Sequence, residues 1–272
     1  MPDPERRAML VADLGNSAAR LALWDGAHYA ERRTVDAPES IDRQVDDWLR
    51  ALRGAAARVP DRAAVASVVP ERTGALVRAL DRGGVAEMLV LDPAVHDIVA
   101  HYLKTPQTTG ADRLAAARAA WEEVRGPVVI VDAGTAVTVD AVDPEGVFLG
   151  GAILPGPRAW LAALGRSAAA LPSLAEVPVP SSAQGTSTHE ALAAGLWWGL
   201  AGAVDRLIDA HRARVGANAA VLVTGGAGQA VGARMQRATR YVPDLVLDGV
   251  RSFALAYWRA HGDRPQADPA DS

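Results

Sequence analysis

The sequence predicts an α/β protein in which one unit is used twice. Three observations carry that expectation. Val11-Ala12-Asp13-Leu14-Gly15-Asn16-Ser17 and Ile130-Val131-Asp132-Ala133-Gly134-Thr135-Ala136 share one pattern, an apolar run that ends in Asp-x-Gly and a small polar residue. Their aspartates lie 119 residues apart, at positions 13 and 132. Each pattern leads into an alternating apolar stretch and then an Asp/Gly turn, Asp25-Gly26 in one case and Asp143-Pro144-Glu145-Gly146 in the other. Around both, apolar runs of strand length alternate with longer stretches of helical spacing, the order of an α/β domain.

Taken in order, Met9 to Trp24 reads as strand, tight turn and strand, because the apolar run gives way to Asp-Leu-Gly-Asn-Ser and then to Arg20-Leu21-Ala22-Leu23-Trp24. Asp25-Gly26 is a hairpin turn. Ile41, Val45, Trp48, Leu49 and Leu52 recur at helical spacing, with Gly54 behind them. Ala63 to Val69 is a short buried strand stopped by Pro70, Glu71 to Leu80 a helix, and Val85 to Leu91 another strand. Beyond the loop 104–110, Ala111 to Val124 is an alanine-rich helix. Val128 to Val131 and Val137 to Val142 are paired strands. A long helix follows near Ala191 to His211, and the strand Ala220 to Thr224 opens onto Gly225-Gly226. The Pro- and Asp-rich segment from Gly262 reads as a frayed tail. The division expected is a first half over 1–115, a second over 116–261 and a tail over 262–272.

Composition narrows the function. Of 272 residues, 50% are hydrophobic and 22% charged, the mix of a globular chain with a sizeable core. With 28 basic and 32 acidic residues the formal net charge is −4, which argues against nucleic acid or an anionic membrane as partner. The absence of cysteine removes disulfides, thiolate metal sites and cysteine nucleophiles. Met1 to Leu10 holds no apolar stretch of signal-peptide length, and no run of about 18 apolar residues predicts a membrane span. A cytoplasmic protein is the expectation. Lys104 is the only lysine and has no glycine near it, so a P-loop and a protein-kinase site are both excluded.

Five motifs remain that suit chemistry. In the two Asp-x-Gly loops the glycine permits a sharp turn, so that backbone N–H groups and a small hydroxyl can face a phosphate. The aspartate at the strand end suits a hard cation. Either loop alone also fits an Asp-capped hairpin; two in equivalent positions favour a phosphate clamp. In Gly110-Ala111-Asp112-Arg113 the carboxylate stands at a helix start, which suits a cap as well as a general base, with Arg113 as an anion fork. Gly150-Gly151-Ala152-Ile153-Leu154-Pro155-Gly156 fits either a strand end or a backbone surface that a ligand approaches. Thr224-Gly225-Gly226-Ala227-Gly228 could line an adenosine pocket, but Val231 breaks the dinucleotide fingerprint. The six histidines (28, 96, 101, 189, 211 and 261) show no metal-ligand spacing.

In their order along the chain, Asp13–Ser17, Gly110–Arg113, Asp132–Ala136 and Gly150–Gly156 together resemble the type III pantothenate kinases of the actin/hexokinase ATPase-fold superfamily. Thr138 and Asp140, Ser67-Val68-Val69-Pro70 and Ser187-Thr188-His189-Glu190-Ala191 extend the resemblance, which runs from about Met9 to Arg259. It implies duplicated ribonuclease H-like (actin-like ATPase) domains with the nucleotide cleft between them. It also implies phosphoryl transfer from ATP to the primary hydroxyl of pantothenate, the first step of coenzyme A synthesis. On this resemblance the ATP phosphates lie on Asp13, Leu14, Gly15, Asn16, Ser17, Ala18, Ala19 and Arg20, with Thr135 opposite. Asp112 is the proton acceptor, Gly110 to Arg113 and Thr188 bind pantothenate, and Asp132 holds potassium or ammonium. Mg²⁺ accompanies ATP, with Asp13 as its candidate ligand, and the family is homodimeric. Two departures stand out: Ser17 replaces the usual threonine, and Leu103, beside Tyr102, occupies a position where the family often has tyrosine. Proteins with this motif set are also described as transcriptional activators; Asp13, Asp112 and Asp132 together favour an enzyme.

Overall fold

The computed structural model describes residues 7–35, 40–54, 59–167, 172, 176 and 178–262. The segment read as a frayed tail lies outside the described residues, apart from Gly262. Two five-stranded sheets organise the chain. The first holds β1 (Met9–Leu14), β2 (Ala19–Trp24), β3 (Tyr29–Val35), β4 (Arg62–Ser67) and β5 (Glu87–Val90) in the order β3-β2-β1-β4-β5. The second holds β6 (Val128–Ala133), β7 (Ala136–Val142), β8 (Phe148–Pro155), β9 (Ala220–Thr224) and β10 (Arg240–Tyr241) in the order β10-β9-β6-β7-β8.

The two sheets have one topology. In each, the first strand is central, antiparallel to the second and parallel to the fourth; the second and third are antiparallel, the fourth and fifth parallel. Parallel neighbours require crossovers, and helices supply them. Helix α1 (Ile41–Gly54) links β3 to β4 and α2 (Pro70–Arg82) links β4 to β5. In the second sheet α4 (Pro157–Ser167) and α5 (Thr188–Val215) link β8 to β9, and the short α6 (Gly228–Gly232) links β9 to β10. Helix α3 (Ala111–Val124) joins the repeats, and α7 (Leu245–His261) follows β10. The duplication expected from the two Asp-x-Gly patterns is therefore present strand for strand.

One difference separates the copies. Four residues, Gly15 to Ala18, connect β1 to β2, whereas only Gly134 and Thr135 connect β6 to β7. The short connection closes with a Gly134 N–H to Ala136 carbonyl bond of 2.9 Å; the longer closes with Gly15 N–H to Ala18 carbonyl at 3.0 Å.

The central strands are buried throughout, which is why they read as continuous apolar runs. In the first sheet Leu10, Ala12 and Leu14 pack with Val45, Trp48 and Leu49 of α1 and Leu76 and Leu80 of α2. The predicted spacing of α1 is the spacing of its buried face. In the second, Val129, Val131, Val137 and Val139 pack with Leu196, Leu200, Val204 and Ile208 of α5. Helix α5 is long and apolar enough to cross a membrane, a feature that the search for an 18-residue apolar run did not anticipate; half of its most apolar window is buried, as in a core helix.

Two compact units result. One gathers the described residues of 1–98, 105–119 and 246–262, the other 99–104 and 120–245. Within the first, Gly249 of α7 rests on the backbone of Ala115, the Ser252 hydroxyl receives Arg118 Nε at 2.9 Å, and Arg62 stacks 4.9 Å from the Trp258 ring centroid.

Candidate functional site

In the first unit the site begins where β1 stops. Asp13 is 9% exposed and faces Arg20 directly across the β1–β2 ladder. Arg20 donates to Asp13 Oδ2 through Nη2 at 2.8 Å and Nε at 3.3 Å, a charge-assisted pair formed mostly out of water. Leu14 ends the strand, Asn16 and Ser17 form the exposed crest of the loop, and Ala19 opens β2. Arg72, in the first turn of α2, donates from Nη1 to the carbonyls of Gly15 (2.8 Å) and Asn16 (2.6 Å). Nothing in the local pattern marks this contact beyond an arginine in the predicted helix.

Parallel pairing explains why α2 reaches the loop. Leu14 is in register with Ser67 at the end of β4, and the Val68 N–H donates to the Leu14 carbonyl at 3.3 Å. The Ser67 hydroxyl accepts from the Val69 N–H at 3.0 Å, which ends the strand before Val68 rather than at the predicted Val69. Pro70 then starts α2 at a position where its missing N–H costs nothing.

The segment Gly110-Ala111-Asp112-Arg113 meets the same corner. Gly110 precedes α3, and a Cβ there would stand 2.2 Å from Asp112 Oδ1 and 3.2 Å from Val68 Cγ1. The Asp112 carboxylate is thus folded over the glycine, where Oδ1 accepts the Arg113 N–H at 2.8 Å. Asp112 serves the helix start and, through Val68, neighbours the strand that carries Asp13. The cap and the base are compatible roles for one carboxylate.

In the second unit β6 ends at Asp132-Ala133, where Asp132 is in register with Thr138 of β7 and Thr224 of β9 and Ala133 with Val137 of β7. Gly225 adopts φ +85° and lies so close that a Cβ would stand 2.4 Å from Asp132 Oδ1 and 2.6 Å from the Ala133 carbonyl oxygen. Gly156 closes on the loop, its N–H donating to the Thr135 carbonyl at 3.2 Å. The glycine-rich motif 150–156 is thus mostly the edge strand β8, and Gly151 is needed because a Cβ would strike the Val139 carbonyl and Asp140. Thr135 itself is exposed.

Thr188 is the first residue of α5 and exposed, in a different element from the glycine loops. Ser187 caps the helix by accepting the Glu190 N–H at 3.2 Å, and Glu190 Oε2 receives the Thr186 N–H and hydroxyl, both at 2.7 Å. Those two donors hold the Glu190 carboxyl below the usual carboxylate range. Tyr102 is 74% exposed, while Leu103 lies toward Gly150, so an aliphatic packing residue stands where the resemblance places a tyrosine.

Among the described residues no group of three or more His, Asp or Glu side chains gathers as a divalent-metal cage. What surrounds Asp132 is different: one carboxylate, the Ala133 carbonyl oxygen near the same glycine, and the buried Thr138 hydroxyl, which has no hydrogen-bond partner although it stands opposite Asp132 in register. Neutral oxygens around a single negative charge fit a monovalent cation. Mg²⁺ keeps several waters and binds chiefly through nucleotide phosphates, so it needs no protein cage of its own.

Residues 9–210 match the family described as Type III pantothenate kinase. A type III pantothenate kinase of Acidiphilium cryptum is 34% identical over 251 residues, covering 90% of this chain and 94% of its own. That of a Parafrankia species is 34% identical over 245 residues, covering 89% and 96%. Among solved structures, one titled as a putative Baf family transcriptional activator from Campylobacter jejuni superposes with a TM-score of 0.58 at 21% identity, over 92% of this chain and 99% of that one. That likeness concerns the fold, which is of the actin-like ATPase type.

Proposed function

This chain belongs to the type III pantothenate kinase family, and from that premise we propose how its residues divide the reaction. The enzyme is a pantothenate kinase: ATP and pantothenate are its substrates, and the product enters coenzyme A synthesis. Asp112 is the general base. It orients the primary hydroxyl and accepts its proton as the bond to phosphorus forms, while ADP leaves with the electron pair of the broken bond. Phosphoryl transfer asks for in-line positioning and charge neutralisation rather than covalent chemistry, so a strongly basic carboxylate is not required.

The loop from Asp13 to Arg20 holds the ATP phosphates through its backbone N–H groups and Arg20, and the Thr135 hydroxyl is a further ATP contact. Gly110 to Arg113 and Thr188 bind pantothenate. Asp132 holds potassium or ammonium, and Mg²⁺ enters with ATP near Asp13; bound there, these cations supply the positive charge that a P-loop lysine supplies elsewhere. The observation that carries the reading is the corner at Val68, whose backbone bonds Leu14 and whose side chain lies beside the glycine under the Asp112 carboxylate.

The working form is a homodimer, in the cytoplasm. What supports the dimer is the outer face of α5, where Gly195, Trp198, Gly199 and Gly202 are exposed in one stripe and a Cβ on Gly199 or Gly202 would meet nothing within 4 Å. Such a face admits a second helix at short distance.

The test is ADP release with Mg²⁺, ATP and pantothenate, in potassium and in sodium buffer, beside the Asp112→Asn variant. Pantothenate-dependent turnover that prefers potassium and disappears in the variant is expected. Full activity in Asp112→Asn would remove the base, and equal rates in the two buffers would remove the cation role.

A further inference from the structure

We propose that Arg72 is the positioning residue of the phosphate loop: its guanidinium fixes the loop from Gly15 to Ala18 in the form whose backbone N–H groups meet ATP. The inference rests on the reading of residues 13 to 20 as the phosphate site and assigns a further residue to it.

Four residues between β1 and β2 exceed the two-residue hairpin whose geometry the strand twist selects, so the loop needs an anchor of its own. One internal bond, Gly15 N–H to the Ala18 carbonyl, closes its base. The anchor at its crest is Arg72, which takes the carbonyls of both Gly15 and Asn16 with one nitrogen. A trans peptide points its N–H opposite to its carbonyl. Turning those two carbonyls toward α2 therefore turns the N–H groups of Asn16 and Ser17 away from it, side by side, as an anion site requires.

Arg72 also sits where a cation is locally disfavoured. It occupies the third position of α2, at the positive end of the helix dipole, with Pro70 first and Glu71 second. A residue that breaks a local rule marks a site where another requirement prevails. Here that requirement is met by two main-chain carbonyls 57 and 56 positions away in sequence. The guanidinium charge, lying behind the loop, also favours the approach of phosphate. Because Arg72 is spent on carbonyls, it positions the groups that bind ATP and is not itself catalytic.

The experiment compares steady-state constants and melting temperature for wild type, Arg72→Met, Arg72→Lys and, as a control on the loop, Gly15→Val. Arg72→Met should raise KM for ATP by about ten- to a hundredfold, the worth of one or two hydrogen bonds from a charged donor. KM for pantothenate should stay near wild type, the melting temperature should fall by only about a few degrees, and Arg72→Lys, which keeps a charged donor, should recover part of the ATP affinity. An unchanged KM for ATP in Arg72→Met while Gly15→Val raises it would overturn the role of Arg72 and leave the loop reading intact. Gly15→Val without effect on ATP would remove the loop reading and the role of Arg72 with it. Equal losses for both substrates with a lowered melting temperature would reduce Arg72 to general support of the fold, which also overturns the proposal.

Discussion

Gly110→Ala adds a net one carbon and two hydrogens to the chain and should cost most of the activity while sparing the fold. The new Cβ would stand 2.2 Å from Asp112 Oδ1, whereas unstrained contacts of carbon settle near about 3.5 Å. The carboxylate must therefore retreat by roughly 1 Å. Val68 Cγ1, at 3.2 Å on another side, limits how far the methyl itself can yield. Asp112 turns about its own side-chain bonds, so the fold loses little more than the bond from the Arg113 N–H. That loss is about 1 kcal/mol, or roughly 2–4 °C of melting temperature in a chain of this size. The rate is far more sensitive, because a displacement of about 1 Å in a reacting group costs on the order of a hundredfold, near 2.7 kcal/mol of transition-state stabilisation. In an ADP-release assay at saturating ATP and pantothenate, kcat should fall by about two orders of magnitude. A folded variant that kept kcat within threefold of wild type (~0.6 kcal/mol) would refute the idea that the position of this carboxylate governs the rate.

Three further outcomes are expected. Gly249→Ala places a Cβ 1.8 Å from the Ala115 carbonyl, where only backbone can yield; it should destabilise by about 3 kcal/mol or more, read as a fall in melting temperature that a wild-type value would contradict. Burial holds the His96 imidazole below 6.5, with Asp92 opposing and His261 reinforcing the shift. Protonation therefore favours the unfolded chain, so the contribution of His96 is present above about pH 6.5 and is lost as pH falls through the folded-state value. His96→Asn should flatten the loss of melting temperature on acidification, and an unchanged slope would count against this assignment. Asp132→Asn should abolish the preference for potassium over sodium; a variant still activated by potassium would place the cation elsewhere.

Much of the architecture was legible because burial on both faces writes a plain signal. Met9–Leu14, Val128–Ala133 and Ala220–Thr224 are apolar runs broken only at or next to their last residue, by Asp13, Asp132 and Thr224, and the helix at Ala111–Val124 was bounded as expected. Strand β3 was implied only by the hairpin turn at Asp25-Gly26 and its extent was not legible: it is an edge strand whose middle is Glu31-Arg32-Arg33, and pairing with β2 rather than an apolar face makes it a strand. Helix α7 was also absent from the expectation, although Val250, Phe253, Ala254 and Trp258 recur at helical spacing; Asp248 and Gly249 interrupt its first turns. At the candidate site, local pattern pointed to the glycine loops, whose backbone demands are local. It said nothing of Arg72, because that contact depends on β1 and β4 lying parallel and in register, a long-range fact.

The unequal connections in the two repeats set a limit on transplantation. The two-residue turn carries its instructions close by, in its own sequence and in the Gly156 N–H just after β8, so the β6–β7–β8 meander is a portable part. The four-residue turn after β1 does not, since half of what shapes it is written in another helix. Grafting Asp13 to Arg20 onto a foreign hairpin would move the letters of a phosphate site without its grammar; a working graft must bring the start of α2 as well.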